Sequence, residues 1–469
     1  GMVGCGGGGD GGGPPPAPPA STSWVAHWNH VAIDASGLDH APAQPGESRV
    51  YGEQIGPGRA SRAIAIVQIA VFEAVNAITG GYLSYTGLPR DTAGSDMQAA
   101  IAQAAHDALV AMFPSQAPSF DAELVSDLAR IADGASKDAG IDLGRRAAQS
   151  IVELRANDGS AHAEPRIGIE FIPSDEPGHW RPDPITGGAL ALGARWGEVR
   201  PFVMDSASQF RVPPPPALDS AAYAAAYEEV LRIGGDGHTT PTERTDEQKS
   251  IGIYWAYDGT PSLCAPPRLY NQLTLLLAEQ QGLDIVELAR LLALVNVAMA
   301  DAGIGIWESK YHYDFWRPVT GIREADEGTG PTGAGDGNPD TVGDATFTPL
   351  GAPASNAGAA NFTPPFPAYP SGHAGFGGAL FQTLRHFFGT DEIAFTFTSD
   401  EYNGITLDNE GNVRELKPRS FTSLSQAEEE NGQSRIYLGI HWSFDKTEGI
   451  AQGRRIADHV FQNLYPPTT

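Results

Sequence analysis

Residues 58–78, GRASRAIAIVQIAVFEAVNAI, carry apolar side chains nearly all round a helix, with Ile64, Ile66, Ile69, Ala70 and Phe72 to Val75 among them. A helix without a polar face has nothing to offer water and must be buried among other helices. The same period returns at 96–113, 120–135 and 142–158, then at 220–234, 244–259 and 284–311. It closes the chain around 374–388, 420–440 and 443–464. Alternation suited to a strand is rare, and EIAFTFTS at 392–399 is its best case. No internal repeat is visible. The pattern predicts an all-α protein of helical bundles, with two four-helix bundles expected.

Between the helices lie a Pro/Gly-rich, Trp-containing passage over about 159–216 and a Gly/Pro/Asp loop over 324–365. Residues 1–22 are too poor in apolar side chains to fold. This divides the chain into a disordered linker (1–22), an N-terminal helical half (23–235) and a C-terminal helical bundle (236–469). No uninterrupted apolar run reaches the eighteen or so residues that would span a bilayer, so no membrane-spanning segment is expected.

The formal net charge of -27 argues against a nucleic-acid surface, where basic patches would be expected. An anion site in so acidic a chain must be built from a few clustered cations. The two cysteines, Cys5 and Cys264, make neither a disulfide framework nor a zinc cluster. Small residues, then Cys5, then a Gly/Pro stretch resemble the mature start of a bacterial lipoprotein. Export, with Cys5 as a lipid anchor, is therefore an expectation beside a plain flexible terminus.

Three short segments concentrate polar residues. In WESKYHYDFWRPVTGIR (307–323), Lys310 and Arg317 are seven apart, which on one helix places them on one face, and Pro318 ends that run or starts another. In FPAYPSGHAGFGG (366–378), Ser371 is a natural helix N-cap. The Gly372 amide and the Ser371 hydroxyl there would make an anion seat, with His373 facing it. In SRIYLGIHWSFDKTEG (434–449), Arg435 precedes His441 by six, and Asp445 lies a helical turn beyond, able to fix the imidazole tautomer. Singly, each has an ordinary explanation: snorkelling surface cations, a helix cap, a core histidine bonded to a carbonyl.

Together they carry more. Lys-x6-Arg-Pro, Pro-Ser-Gly-His and Ser-Arg-x5-His-x3-Asp, in this order, resemble the tripartite signature shared by vanadium-dependent haloperoxidases and acid phosphatases of the phosphatidic-acid-phosphatase type. WAYDGTPSLCAPPRLYNQ (255–272) and the segments at 310–323, 366–381 and 434–445 look like those of fungal vanadium chloroperoxidases, over roughly residues 240–450. The resemblance implies an active site at one end of the C-terminal bundle. Lys310, Arg317, Ser371, Gly372 and Arg435 would hold an oxyanion, and His441 would bond vanadium directly. His373 would be the acid–base group, and Asp258 would salt-link an anion-binding arginine.

Vanadate and phosphate have nearly the same shape, so two chemistries stay open. One is a haloperoxidase that uses hydrogen peroxide to oxidise chloride or bromide to hypohalous acid, which then halogenates an organic acceptor. The other is an acid phosphatase working through a phosphohistidine at His441. A non-enzymatic oxyanion-binding protein is a third possibility, though it would not need His373. Trp307 and Phe366 match the aromatic pair flanking the site in chloride-oxidising members; bromide-oxidising members carry a second histidine where Phe366 stands. That favours the haloperoxidase, with both rings lining a halide pocket. DGNPDTVGD (336–344) spaces acids like a calcium loop but lacks the glycine and closing glutamate, so a solvated acidic loop is expected.

Overall fold

The apolar segment at 58–78 lies within α2 (Gly56–Thr79), where every residue from Ala60 to Ala77 is buried. The structure, a computed structural model, describes residues 20–469. Around α2 the N-terminal half supplies α1 (Ala20–Asp39), α3 (Met97–Met112), α4 (Ala117–Leu128), α5 (Ala135–Arg155) and α6 (Ala221–Ile233). The C-terminal half supplies α7 (Asp246–Tyr254), α8 (Pro266–Gln280), α9 (Ile285–Tyr313), α10 (Pro318–Arg323), α11 (Gly372–Phe388), α12 (Leu424–Tyr437) and α13 (Ser443–Asn463). Among the described residues the only sheet is a two-stranded ribbon, β1 (Phe395–Phe397) antiparallel to β2 (Arg419–Phe421). The fold is all-α.

α2 packs with α3 and α5 on one side and with α9 on the other, so it joins the two groups of helices. α9, α11, α12 and α13 form the second bundle. Its tightest contact is α11 against α13, and small residues make it possible. A Cβ at Gly453 would run into the Gly375 carbonyl oxygen, and one at Gly378 would stand 2.6 Å from the Ile450 carbonyl oxygen. Only glycine lets the two backbones touch there.

Several polar groups inside this core are paired. On α2, Arg62 Nε donates to Asp158 at 2.7 Å and Gln68 donates to Asn29 at 2.7 Å. Glu73 accepts from the Tyr85 and Thr86 amides and from the Ser84 hydroxyl.

Several expectations are corrected. α2 is long and apolar enough to cross a membrane by composition, at mean hydropathy 1.5, and 89% of that window is buried in the protein. Scattered polar residues such as Gln68 interrupt the apolar run without lowering its average enough. α1 begins at Ala20, so the last three residues of the expected linker are helical; residues 1–19, with Cys5, lie outside the described residues. α8 was not anticipated, and the helix expected over 244–259 ends at Tyr254. The helix expected over 420–440 starts only at Leu424, after β2. The acidic loop at 336–344 is not simply solvated: Asp336 is buried and accepts from the Asn338 amide and the Thr341 hydroxyl.

Candidate active site

Four helix ends meet at one end of the second bundle. The last two turns of α9 carry Trp307 and Lys310, and the last turn of α12 carries Arg435. The first turn of α11 carries Gly372 and His373 behind the N-cap Ser371, and the first turn of α13 carries Asp445, with His441 two residues before the helix. Helix N-termini present bare amides and positive dipole ends, which suit an anion; cations near the C-termini of α9 and α12 complement their negative ends.

Lys310 and Arg317 do meet, but not on one helical face. α9 ends at Tyr313, where Asp314 takes the left-handed conformation (φ 52°), and Arg317 is the N-cap of α10. The Phe366 ring brings the two cations together: Lys310 Nζ and the Arg317 guanidinium carbon each lie 5.1 Å from its centroid. Lys310 donates to the carbonyls of Pro367 (2.9 Å) and Ala368 (3.3 Å). Arg317 donates through Nε to the Phe366 carbonyl and through Nη1 to the Ile440 carbonyl, both at 2.9 Å.

His441 is also off the helix. Asp445, at the third helical position, accepts from the Trp442 amide (2.9 Å) and from His441 Nδ1 (2.7 Å) through one oxygen. This fixes the Nδ1–H tautomer and leaves Nε2 unprotonated, where its lone pair accepts Arg317 Nη1–H at 2.9 Å. Burial, then Arg317 and Lys310, hold the imidazole neutral, well below its ordinary pKa. Burial pushes the Asp445 carboxyl up to about 7.

His373 Nε2 donates to the Ala256 carbonyl at 2.5 Å, so its lone pair sits on Nδ1. Burial, then Arg435, lowers its pKa to about 3. The Ser371 oxygen accepts the Ala374 amide at 3.2 Å, and its hydroxyl proton stays available. Arg435 makes a two-pronged pair with Asp258, at 2.7 and 2.9 Å, with side chains 2% and 5% exposed.

The charge is unbalanced. Three buried cations, Lys310, Arg317 and Arg435, face two carboxylates, Asp258 and Asp445. Arg317 Nη2 and Arg435 Nε are buried with no partner among the described residues. Arg155, Arg181, Arg290 and Arg414 also leave a buried Nε unpartnered; what sets Arg317 and Arg435 apart is their place beside His441 and His373. A tetrahedral oxyanion would satisfy both, together with the surplus charge, so the residues present fit one.

Above these groups opens a cavity of about 330 Å³. His373, His441, Arg435 and Gly372 are among its lining residues, with Trp307 and Phe366. The two rings pack edge-to-face at 5.1 Å, and a Cβ on Gly372 would meet Trp307 at 2.9 Å.

A family model described as the VCPO second helical-bundle domain matches residues 290–466. Vanadium chloroperoxidase of Curvularia inaequalis is 30% identical over 503 residues, spanning 91% of this chain and 79% of that one. The chain belongs to the vanadium haloperoxidase family. A bacterial vanadium-dependent iodoperoxidase superposes with TM-score 0.74 at 25% identity, over 96% of this chain and 98% of that one. A holo-type bacterial vanadium-dependent chloroperoxidase shares the fold at TM-score 0.65 and 17% identity, over 92% of this chain and 97% of that one.

In this haloperoxidase the structure gathers every residue expected at the site, and it adds others. Tyr270 Oη and Asn431 Nδ2 both donate to the His373 carbonyl at 3.0 Å and hold the start of α11. Tyr270 stands within the 255–272 segment, but nothing in its spacing marked that partner. Walls from the N-terminal half, among them Ile55, Leu190 and Leu192, were not anticipated at all.

Two outcomes follow for the haloperoxidase without a bound anion. Asp258→Ala strands the Arg435 guanidinium in the interior and should cost about 3–5 kcal/mol of stability in denaturant unfolding; added vanadate or phosphate should recover part of it. The second concerns pH. His373 is held neutral in the folded state, while the unfolded chain binds its proton below about 6.5. Its contribution is present above that pH and is lost as pH falls toward 3. The unfolding free energy should drop there by up to about 1.4 kcal/mol per pH unit for this group, and His373→Gln should flatten the slope.

Proposed function

We propose that the protein holds vanadate in this cradle and oxidises halide with hydrogen peroxide to hypohalous acid. The observation that carries the reading is the set of buried, unpartnered guanidinium N–H donors beside a histidine whose Nε2 is unprotonated and meets an Arg317 N–H. Bound vanadate supplies a Lewis-acidic centre that activates peroxide toward attack by halide. Lys310, Arg317, Arg435, the Ser371 hydroxyl and the Gly372 amide serve as donors to its oxygens. His441 Nε2 would be the metal ligand; Asp445 fixes the ring proton on Nδ1, and burial with Arg317 and Lys310 keeps the imidazole neutral. His373 takes and returns the peroxide proton through Nδ1, which the Nε2 contact to Ala256 leaves free. Asp258 holds Arg435 in place.

Trp307 and Phe366 form an apolar wall fit for a weakly hydrated halide, chloride or bromide, and keep water from the reacting centre. The same wall favours this chemistry over phosphate-ester hydrolysis, which needs water at the site. The test adds orthovanadate to the purified protein and follows peroxide-dependent halogenation of monochlorodimedone, beside p-nitrophenyl phosphate hydrolysis without vanadate. Halogenation is expected. Ready ester hydrolysis with no halide oxidation would transfer the site to a phosphohistidine at His441.

A further inference from the structure

One buried acid beside the cradle has no part in the proposed reaction. Glu401 is wholly buried, and one of its oxygens is satisfied: Oε1 accepts the Ser355 hydroxyl at 2.6 Å, while Oε2 has no partner among the described residues. The Arg414 guanidinium reaches the same hydroxyl only at 3.5 Å and leaves its Nε unpaired. A carboxylate so poorly served is costly to bury, and a neutral acid much less so. Burial accordingly pushes the Glu401 carboxyl up to about 8, against the Ser355 hydroxyl and the Arg414 charge, and the Asp258 carboxylate pushes the same way.

The turn that carries Glu401 backs the segment that serves the site. Ser399 caps the short helix Asp400–Tyr402; its hydroxyl donates to the Tyr254 carbonyl at 2.6 Å and accepts the Glu401 amide at 3.0 Å. The Asp400 amide donates to Tyr257 Oη at 2.7 Å, and Tyr257 Oη donates to Gln272 at 2.9 Å. Residues 254–258 are thus fixed from one side. They also supply the Ala256 carbonyl to His373 and the Asp258 carboxylate to Arg435. Tyr257 lies between those two contacts in the left-handed region, at φ 41°.

We infer that Glu401 is a positioning residue of the cradle: as a neutral acid it leaves Arg435 paired with Asp258 alone, and its ionisation weakens the hold on a bound oxyanion. The inference rests on the oxyanion cradle of the proposed function, whichever chemistry runs there. A second buried negative charge near Asp258 repels the carboxylate that orients Arg435. It also cancels part of the surplus positive charge that the anion needs. The effect is reciprocal, so a bound oxyanion keeps Glu401 protonated. The charged and titratable groups that face Glu401 are Asp258, Arg414 and Tyr402, and burial raises the Tyr402 phenol above its ordinary value.

Equilibrium dialysis with tungstate tests this without calling on turnover, because tungstate stays a dianion across the range in which vanadate changes its own charge. Glu401→Gln keeps an acceptor for Ser355 and cannot ionise. Wild-type affinity should fall at least fivefold more than that of Glu401→Gln as pH rises from about 7 to about 9.5. Lys310 and Arg317 are common to both proteins, so the difference between the curves belongs to Glu401. Ser355→Ala removes the hydrogen bond that favours the carboxylate, so its loss of affinity should begin at higher pH than in wild type. Parallel curves for wild type, Glu401→Gln and Ser355→Ala would overturn the inference and make Glu401 a structural acid. A loss in Glu401→Gln that is the same at every pH would do so too. A wild type that binds tungstate at no pH would instead strike down the cradle itself, and the proposed function with it.

Discussion

His441→Ala should yield a folded protein that no longer retains vanadate and no longer oxidises halide. The imidazole is a neutral lone-pair donor placed among Arg317, Lys310 and Arg435, and the Nδ1–H bond to Asp445 leaves its Nε2 unprotonated. Alanine removes the metal ligand outright. The loss in affinity should exceed the ~10–100-fold seen when only an outer partner of a ligand is removed. Equilibrium dialysis against orthovanadate measures it directly. Equal retention by wild type and variant would remove His441 from the ligand role and leave vanadate held by charge alone. Arg317, whose Nη1 donates to the same nitrogen, should then dominate the affinity.

His373→Ala separates catalysis from binding. Halide turnover should fall by about 10²–10⁴, the usual worth of a positioned acid–base group, while vanadate affinity changes little. The substitution leaves the Ala256 carbonyl without its 2.5 Å partner, a local cost of about 1–3 kcal/mol in stability. The pH profile of turnover distinguishes the alternatives. An acid–base histidine imposes its titration on kcat, and the variant should lose that limb. A parallel fall in affinity and turnover, with the pH profile intact, would make His373 part of the cradle. A protein that only binds oxyanions would show a change in affinity and nothing else.

Much of this site was legible before the fold. Ser371, Gly372 and His373 are adjacent in the chain, and Arg435, His441 and Asp445 fall within eleven positions, so short segments carried most of the donors. Local geometry was harder to read. Lys310 and Arg317 have helical spacing, but the left-handed turn at Asp314 breaks the helix between them. His441 and Asp445 have the spacing of a helical turn, yet the contact is an N-terminal one, made across a helix start. Contacts set by tertiary packing were invisible. The Ala256 carbonyl, Tyr270 and Asn431 meet His373 from elements 58 to 117 residues away. α1 escaped because its buried polar residues, among them Asn29, Ser36 and Asp39, blur an apolar stripe of Trp24, Trp28 and Ala32. Once folded, those polar groups are bonded inward, as when Asp39 accepts the Glu53 and Gln54 amides.

Leu190 and Leu192 belong to an irregular strap far from the motif segments in the chain, yet they wall the same cavity as His441. The oxyanion donors and these apolar walls thus reside in separate stretches of polypeptide. Mutational drift can reshape the strap without disturbing a single donor of the cradle, because the strap is anchored mainly through backbone atoms at Leu192 and Gly193. A lineage built this way can diversify what it halogenates while inheriting its oxidation machinery unchanged. In a directed-evolution library, residues 190–192 are where new products should appear at the least risk to turnover.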